Sequence, residues 1–268
     1  MTMNYDQVKQ HWDTWAKQFG SSLRATTKSM TIKQLEIFAI TQHLKPGSKI
    51  LDVGCGNGYN AIAFMENIKD IHVVACDYSP EMIENAVLNA KQLKPQQRDR
   101  LRFEVADVLA LPFKSEFDVV TTDRCIINLT EVALQKDAID ECAAALRPGG
   151  LFLMLENSQQ NYLRQNDARE AVGLARRQWP SFNLFLDEDV LLPHCAASGL
   201  DLQHVDDFSS LHDLMLYVLL TSQDPQKEHY DEPLVMRAAE LTMNLAVRGQ
   251  KNAFGAFGQN RLYVFKKK

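Results

Sequence analysis

Nothing in this 268-residue sequence approaches the roughly 18 consecutive apolar residues a membrane helix needs, and no membrane partner is expected. The opening stretch, Met1 to Gln10, also lacks the positive start and apolar core of a secretory signal. Cysteine is sparse: Cys55, Cys76, Cys125, Cys142 and Cys195 lie far apart, are odd in number and include no C-x-x-C pair. That spacing disfavours a zinc site and a disulfide framework, so no metal is expected and a reducing cytoplasm fits. Positive charge is not in excess either. At a net charge of -5 there is no global basic field to gather a polyanion, which makes nucleic acid a poor guess for the partner. The Lys266-Lys267-Lys268 tail reads as a solvated end.

What is present is alternation. Residues 31–44 carry apolar positions at helical spacing before the Pro46-Gly47 stop, and Lys49 to Val53 then forms a short apolar run entering a glycine-rich turn. Strands are predicted over 71–77, 101–106, 117–122 and 151–156, with helices over 61–67, 80–91 and 134–146 between them. Such alternation implies a mostly parallel α/β sheet covered on both faces, with ligands beyond the carboxyl ends of its strands. Ser158 to Arg177 is polar and gives no regular pattern; a helix opens at Asp187-Glu188-Asp189, and strands follow over 201–208 and 261–265. Between those two strands, 211–220 and 233–247 read as inserted helices. The division expected is 1–45 as lid and helix, 46–156 as core, and 157–268 as completion of the sheet with pocket segments, all in one structural domain.

The most informative stretch is Leu51-Asp52-Val53-Gly54-Cys55-Gly56-Asn57-Gly58, where a strand meets a helix. Glycines here allow a sharp turn and a close approach of ligand to main chain. A dinucleotide fingerprint needs a third glycine at 59, where Tyr59 stands. About 20 residues further on, Asp77 ends the next strand, where a carboxylate can accept both hydroxyl protons of a ribose. Ala106-Asp107-Val108 follows the third strand, and Arg147-Pro148-Gly149-Gly150 reads as the turn before the fifth.

These motifs together, over about residues 46–156, resemble class I S-adenosylmethionine-dependent methyltransferases. The resemblance implies a Rossmann-like doubly wound sheet of seven strands with the last antiparallel, and S-adenosylmethionine as cofactor. It implies that the turn (Gly54, Cys55, Gly56, Gly58) wraps the cofactor's methionine and ribose parts, and that Asp52 organises its amino-acid end. Asp77 would take the ribose, Tyr78 and Met82 would flank the adenine, Asp107 would meet the adenine amino group and Val108 would cover the ring. His11 to Gly20, with Trp12, Trp15 and Phe19, resembles a lid that excludes water from the sulfonium.

Thr121 to Leu129 sits where the methyl group would project and lacks the asparagine-proline-proline-aromatic motif of amino-methylating relatives, which disfavours an amide or adenine acceptor. Arg124 and Asp123 are candidates for holding cofactor or acceptor. Few side chains are obligatory in methyl transfer beyond a base, for which the candidates are His212, Asp123, Glu156 and His11, with His212 preferred. Arg261 could meet an anionic acceptor, although an ion pair suits it better. The reading that fits best is a small-molecule methyltransferase acting on a hydroxyl of a sugar or metabolite. Alternatives are an RNA, protein or carrier-bound substrate, and a catalytically silent cofactor-binding scaffold. The helical insertion could serve a dimer contact.

Overall fold

The computed structural model describes residues 2–268. Helix α1 (Tyr5–Phe19) opens with a capping box in which Asn4 and Gln7 satisfy each other's backbone amides. After α2 (Met30–Thr41), strands and helices alternate as β1 (Lys49–Val53), α3 (Tyr59–Asn67), β2 (His72–Asp77) and α4 (Pro80–Asn89). The one-turn α5 (Pro95–Arg98) leads to β3 (Leu101–Val105), β4 (Phe117–Asp123), α6 (Val132–Ala145) and β5 (Leu146–Asn157). Then come α7 (Gln159–Ala171), α8 (Glu188–Ala197) and β6 (Leu200–Asp206). The insertion holds α9 (Ser210–Leu214), a π-helical stretch Met215–Leu220, α10 (Thr221–Gln223) and α11 (Pro233–Val247), and β7 (Asn260–Lys267) completes the sheet.

The seven strands lie in the order β3-β2-β1-β4-β5-β7-β6, with β7 antiparallel to both neighbours and the pairs from β3 to β5 parallel. This is the doubly wound architecture that the sequence implies. Its strands read as nearly continuous apolar runs because both faces are covered. Side chains alternate between two buried clusters: Leu51, Val74 and Phe152 belong to one, Ile50, Val73 and Leu153 to the other. The strand order reverses at β1, which lies between β2 and β4. Val53 is in register with Thr122, so the carboxyl ends of β1 and β4 open side by side, the place where such sheets bind ligands.

Two segments depart from the sequence reading. Arg147 to Gly150, expected as a turn, belongs to β5, and its pairing with β4 shifts register between Phe117 and Val119. Ser158 to Arg177 contains α7, whose first turn is capped by Ser158 Oγ accepting the Asn161 N–H. The buried side of α7 is largely polar, made of Asn161, Gln165, Asn166 and Arg169 beside Tyr162, so it shows no apolar stripe for periodicity to detect. Backbone carbonyls satisfy it instead: Asn161 donates to Gly258, Gln165 to Phe257 and Arg169 to Ala175. Among the described residues no helix is long and apolar enough to cross a membrane.

Candidate active site

All three glycines of the turn after β1 have positive φ: 70° at Gly54, 53° at Gly56 and 84° at Gly58. A Cβ on Gly54 would stand 2.4 Å from Cys125 Sγ, and one on Gly56 2.6 Å from Thr26 Cγ2. Only glycine therefore lets the end of β4 and the chain after α1 close onto the turn. Asn57 Nδ2 donates to the carbonyls of Gly20 and Ser22, tying α1 to the same turn, while its Oδ1 is buried without a partner.

Above the turn lies a cavity of about 1310 Å³. Pockets for a single small ligand run to roughly 300–1,000 Å³, so this cavity has room for more than one. Gly54, Cys55, Gly56 and Asp77 line one part, with Tyr78, Met82 and Val108 beside them. Asp77 accepts the N–H groups of Gly56 (2.9 Å) and Ser79 (3.0 Å), and burial pushes its carboxyl up to about 6 despite those bonds. Met82 packs with Ala16 and Ala25, and Tyr78 donates its hydroxyl to the Lys9 carbonyl. Helix α1 contributes His11, Trp12, Trp15 and Phe19 to the cavity wall, and His11 stacks on Phe182 at 4.3 Å between centroids.

Asp123 and Arg124 also line the cavity, but within a buried ion cluster. Lys33 Nζ lies 2.6 Å from Asp123 Oδ2 and 3.0 Å from Glu36, while Arg124 Nε lies 2.8 Å from Glu36 and Asn60 donates to Asp123 at 2.8 Å. Burial works against the Asp123 charge, yet Lys33 and Arg124 outweigh it and hold the carboxyl below its ordinary value. A carboxylate so stabilised is a weak base. Arg124 sits in left-handed geometry at φ 54°, a strained position for a side-chain-bearing residue that its ion pair to Glu36 helps fix.

Four expected residues stand elsewhere. Asp107 does not line the cavity; its carboxylate is taken by Tyr5 Oη and Lys9 Nζ, both at 2.6 Å, and so anchors α1. Glu156 is not at the cavity either. It accepts the N–H groups of Cys125, Ile126 and Ile127 and so supports that turn, and burial pushes its carboxyl up to about 7. Asp52 is buried outside the lining, with one oxygen accepting from Thr121 Oγ1 at 3.3 Å and the other unpartnered. Gly58 starts α3 and packs against Ala86 and Phe103.

His212 lies at the cavity, 1% exposed. Its Nδ1 is 2.8 Å from Asp213 Oδ1, and its Nε2 has no protein partner. Asp213 is fixed in turn by the Gln259 N–H and by Gln165 Nε2. The sequence reading missed the wall around it: Tyr162, Arg169, Arg177, Trp179, Phe185 and Tyr217. Most of these lie on or after α7, and amide and guanidinium groups recurring at 161, 165 and 169 are the signal that marks the helix. Arg261 is ion-paired with Asp207 and Glu188.

Comparison with known proteins agrees with this geometry. A family profile described as "Methyltransferase domain" matches residues 50–150. That segment is similar to a methyltransferase domain, and the seven-stranded sheet around it has the fold of class I S-adenosylmethionine-dependent methyltransferases. Among curated proteins it resembles the ubiquinone/menaquinone biosynthesis C-methyltransferase of Cereibacter sphaeroides, 37% identical over 116 residues that cover 43% of this chain and 44% of the relative. It also resembles the 27-O-demethylrifamycin SV methyltransferase of Amycolatopsis mediterranei, 33% identical over 127 residues, 47% of this chain and 44% of that one. The chain thus spans less than half the length of these relatives. The fold is shared with the [4+2]-cyclase SpnF at a TM-score of 0.64, 18% identity and coverage of 99% and 97%. It is shared too with a chain of the Haloferax volcanii complex between the Trm112 methyltransferase activator and a methyltransferase, at 0.59, 20% identity and 96% of each chain.

Proposed function

We propose that this chain moves a methyl group from S-adenosylmethionine to a hydroxyl of a small-molecule acceptor, with His212 as the base. One observation carries the reading. A buried imidazole with a free Nε2 shares a cavity with the glycine turn and Asp77, and a carboxylate holds its other nitrogen.

The residues suit an adenosyl sulfonium: Asp77 can accept a diol, Asn57 offers a buried amide oxygen without a partner, and α1 offers aromatic faces to a cation. When bound, that cofactor supplies an electrophilic methyl carbon, leaving alignment, water exclusion and proton removal to the protein. Asp213 accepts the proton-bearing Nδ1 of His212, which leaves the Nε2 lone pair to take the acceptor's proton. Helix α1, held by Asp107 and by Asn57, closes the cavity against water. Rifamycin O-methylation by a relative supports an oxygen acceptor, while the other relative's name places its chemistry at carbon.

A cyclase shares this fold, so methyl transfer itself needs the test. Purified protein is incubated with methyl-labelled cofactor and a small-molecule cell extract. Label transfer by the wild type, lost in His212→Asn while S-adenosylhomocysteine still binds both, is the expected result. Tight cofactor binding with no label moved by the wild type overturns the reading.

A further inference from the structure

We propose that the acceptor carries a carboxylate or a phosphate, and that Arg177 and Arg169 hold this anion against the aromatic wall of the cavity. The proposal rests on the methyl-transfer reading and names its substrate class.

The cavity is positively lined in a chain whose net charge is -5. Lys9, Arg24, Lys28, Lys33, Arg124, Arg169, Arg177 and Lys227 face four carboxylates, those of Asp77, Asp123, Glu228 and Asp231. Most of these cations have a carboxylate of their own: Lys9 has Asp107, Lys28 has Glu228, Lys33 has Asp123, Arg124 has Glu36 and Lys227 has Glu232. Among the described residues three have none, the exposed Arg24 and the pair Arg169 and Arg177. A guanidinium withdrawn from water without a counter-ion is costly, and Arg169 is only 8% exposed.

Both arginines are nevertheless fixed in place. Asn166 grips the Arg177 backbone from two sides, its Oδ1 accepting the N–H at 2.9 Å and its Nδ2 donating to the carbonyl at 3.2 Å. The Arg177 guanidinium lies 3.7 Å from the centroid of Tyr217 and 4.9 Å from that of Tyr162. It donates to the side-chain oxygens of Gln165 and Gln259, and its Nε is buried with no acceptor. Arg169 donates to the carbonyls of Ala175 and Tyr217. Rings and neutral oxygens hold these two charges, and burial together with the Arg177 charge lowers the pKa of Arg169. A forked anion placed on them would supply the missing counter-charge, and arginine is suited to both carboxylate and phosphate. The seat is also coupled to the base: Gln165 accepts from Arg177 and donates to Asp213, which holds His212. Tyr162, Trp179 and Phe185 pack against one another beside it, a surface suited to an aromatic or apolar body.

The test uses wild-type protein saturated with S-adenosylhomocysteine and titrated calorimetrically with benzoate, phenyl phosphate and benzyl alcohol. At least one anion binds ten times more tightly than the alcohol, and which anion prevails tells carboxylate from phosphate. Arg177→Gln, or Arg169→Gln should the first fold poorly, lowers anion affinity at least tenfold and leaves S-adenosylhomocysteine affinity unchanged, and Arg177→Lys recovers part of the loss. Equal binding of alcohol and anions overturns the proposal, as does anion binding that survives Arg177→Gln. A tenfold loss of S-adenosylhomocysteine affinity in Arg177→Gln also overturns it, because the arginines would then serve the cofactor's own carboxylate. Failure of the wild type to bind S-adenosylhomocysteine removes the methyl-transfer reading and this proposal with it, an outcome distinct from cofactor binding without anion preference.

Discussion

Two walls of one cavity use charge in opposite ways. Beside the end of β4, Lys33, Glu36, Asp123 and Arg124 neutralise one another within a buried cluster. Across α7 and its following loop, Arg169 and Arg177 are held by rings and carbonyls, and His212 keeps a bare nitrogen. Charges that satisfy each other serve the fold, because losing one leaves its partner stranded. Charges and nitrogens that lack a counter-charge or partner at the cavity are the candidates for meeting whatever enters it.

The contrast breaks most visibly at His212. His212→Asn is expected to slow methyl transfer about 10²–10⁴-fold, the usual worth of a positioned base, with S-adenosylhomocysteine affinity unchanged. A rate within threefold of wild type in a label-transfer assay removes the base assignment. On the paired wall the loss falls on stability. Lys33→Met strands the carboxylates of Asp123 and Glu36, and urea denaturation is expected to show a loss of about 3–5 kcal/mol. Arg177→Gln on the unpaired wall is expected to stay within about 1 kcal/mol of wild type. Similar losses in the two variants would erase the distinction between the walls.

Asp77 sharpens the comparison from the cofactor side. Its carboxyl is pushed up to about 6 by burial, and a diol donates to the ionised form. Cofactor affinity should therefore rise with pH through about 6 and fall below it, and Asp77→Asn should weaken binding about ten- to a hundredfold at pH 7.5 and flatten the profile. Calorimetry at pH 5 and pH 7.5 reads both. A wild-type affinity independent of pH speaks against an ionised Asp77 as the diol acceptor.

The glycine turn was legible in the sequence because backbone geometry dictates residue type there. Gly54 and Gly56 are demanded by positive φ and by the approach of Cys125 and Thr26, and no other residue meets both conditions. The strands were legible because sheet burial requires unbroken apolar runs. Direction was not legible. Asp107 stands after its expected strand and Glu156 at the end of its own, but which donors turn toward a carboxylate is decided by distant segments, Tyr5 and Lys9 in one case and the Cys125 to Ile127 amides in the other. The acceptor side was least legible because α7 buries amides and a guanidinium, and an apolar-periodicity reading passes over such a helix.

Asp52 provides the smallest effect and the finest distinction, since it sits beneath the turn with one oxygen unpartnered and belongs to neither wall. Burial pushes its carboxyl from the ordinary 3.8 up to about 7, and the Asp123 charge adds to the rise. The folded chain therefore keeps a proton that the unfolded chain releases between about pH 4 and pH 7, so this group lowers stability as pH rises through that window. Asp52→Asn has no such proton to release. Whatever its stability at pH 5, the variant should gain on wild type by on the order of 2 kcal/mol between pH 5 and pH 7, and by only about a few tenths more above it. Urea denaturation at pH 5, 7 and 8.5 measures that difference. A constant gap across the three would mean that Asp52 is ionised throughout, with Lys33 compensating its charge, and the paired cluster would then extend beneath the glycine turn.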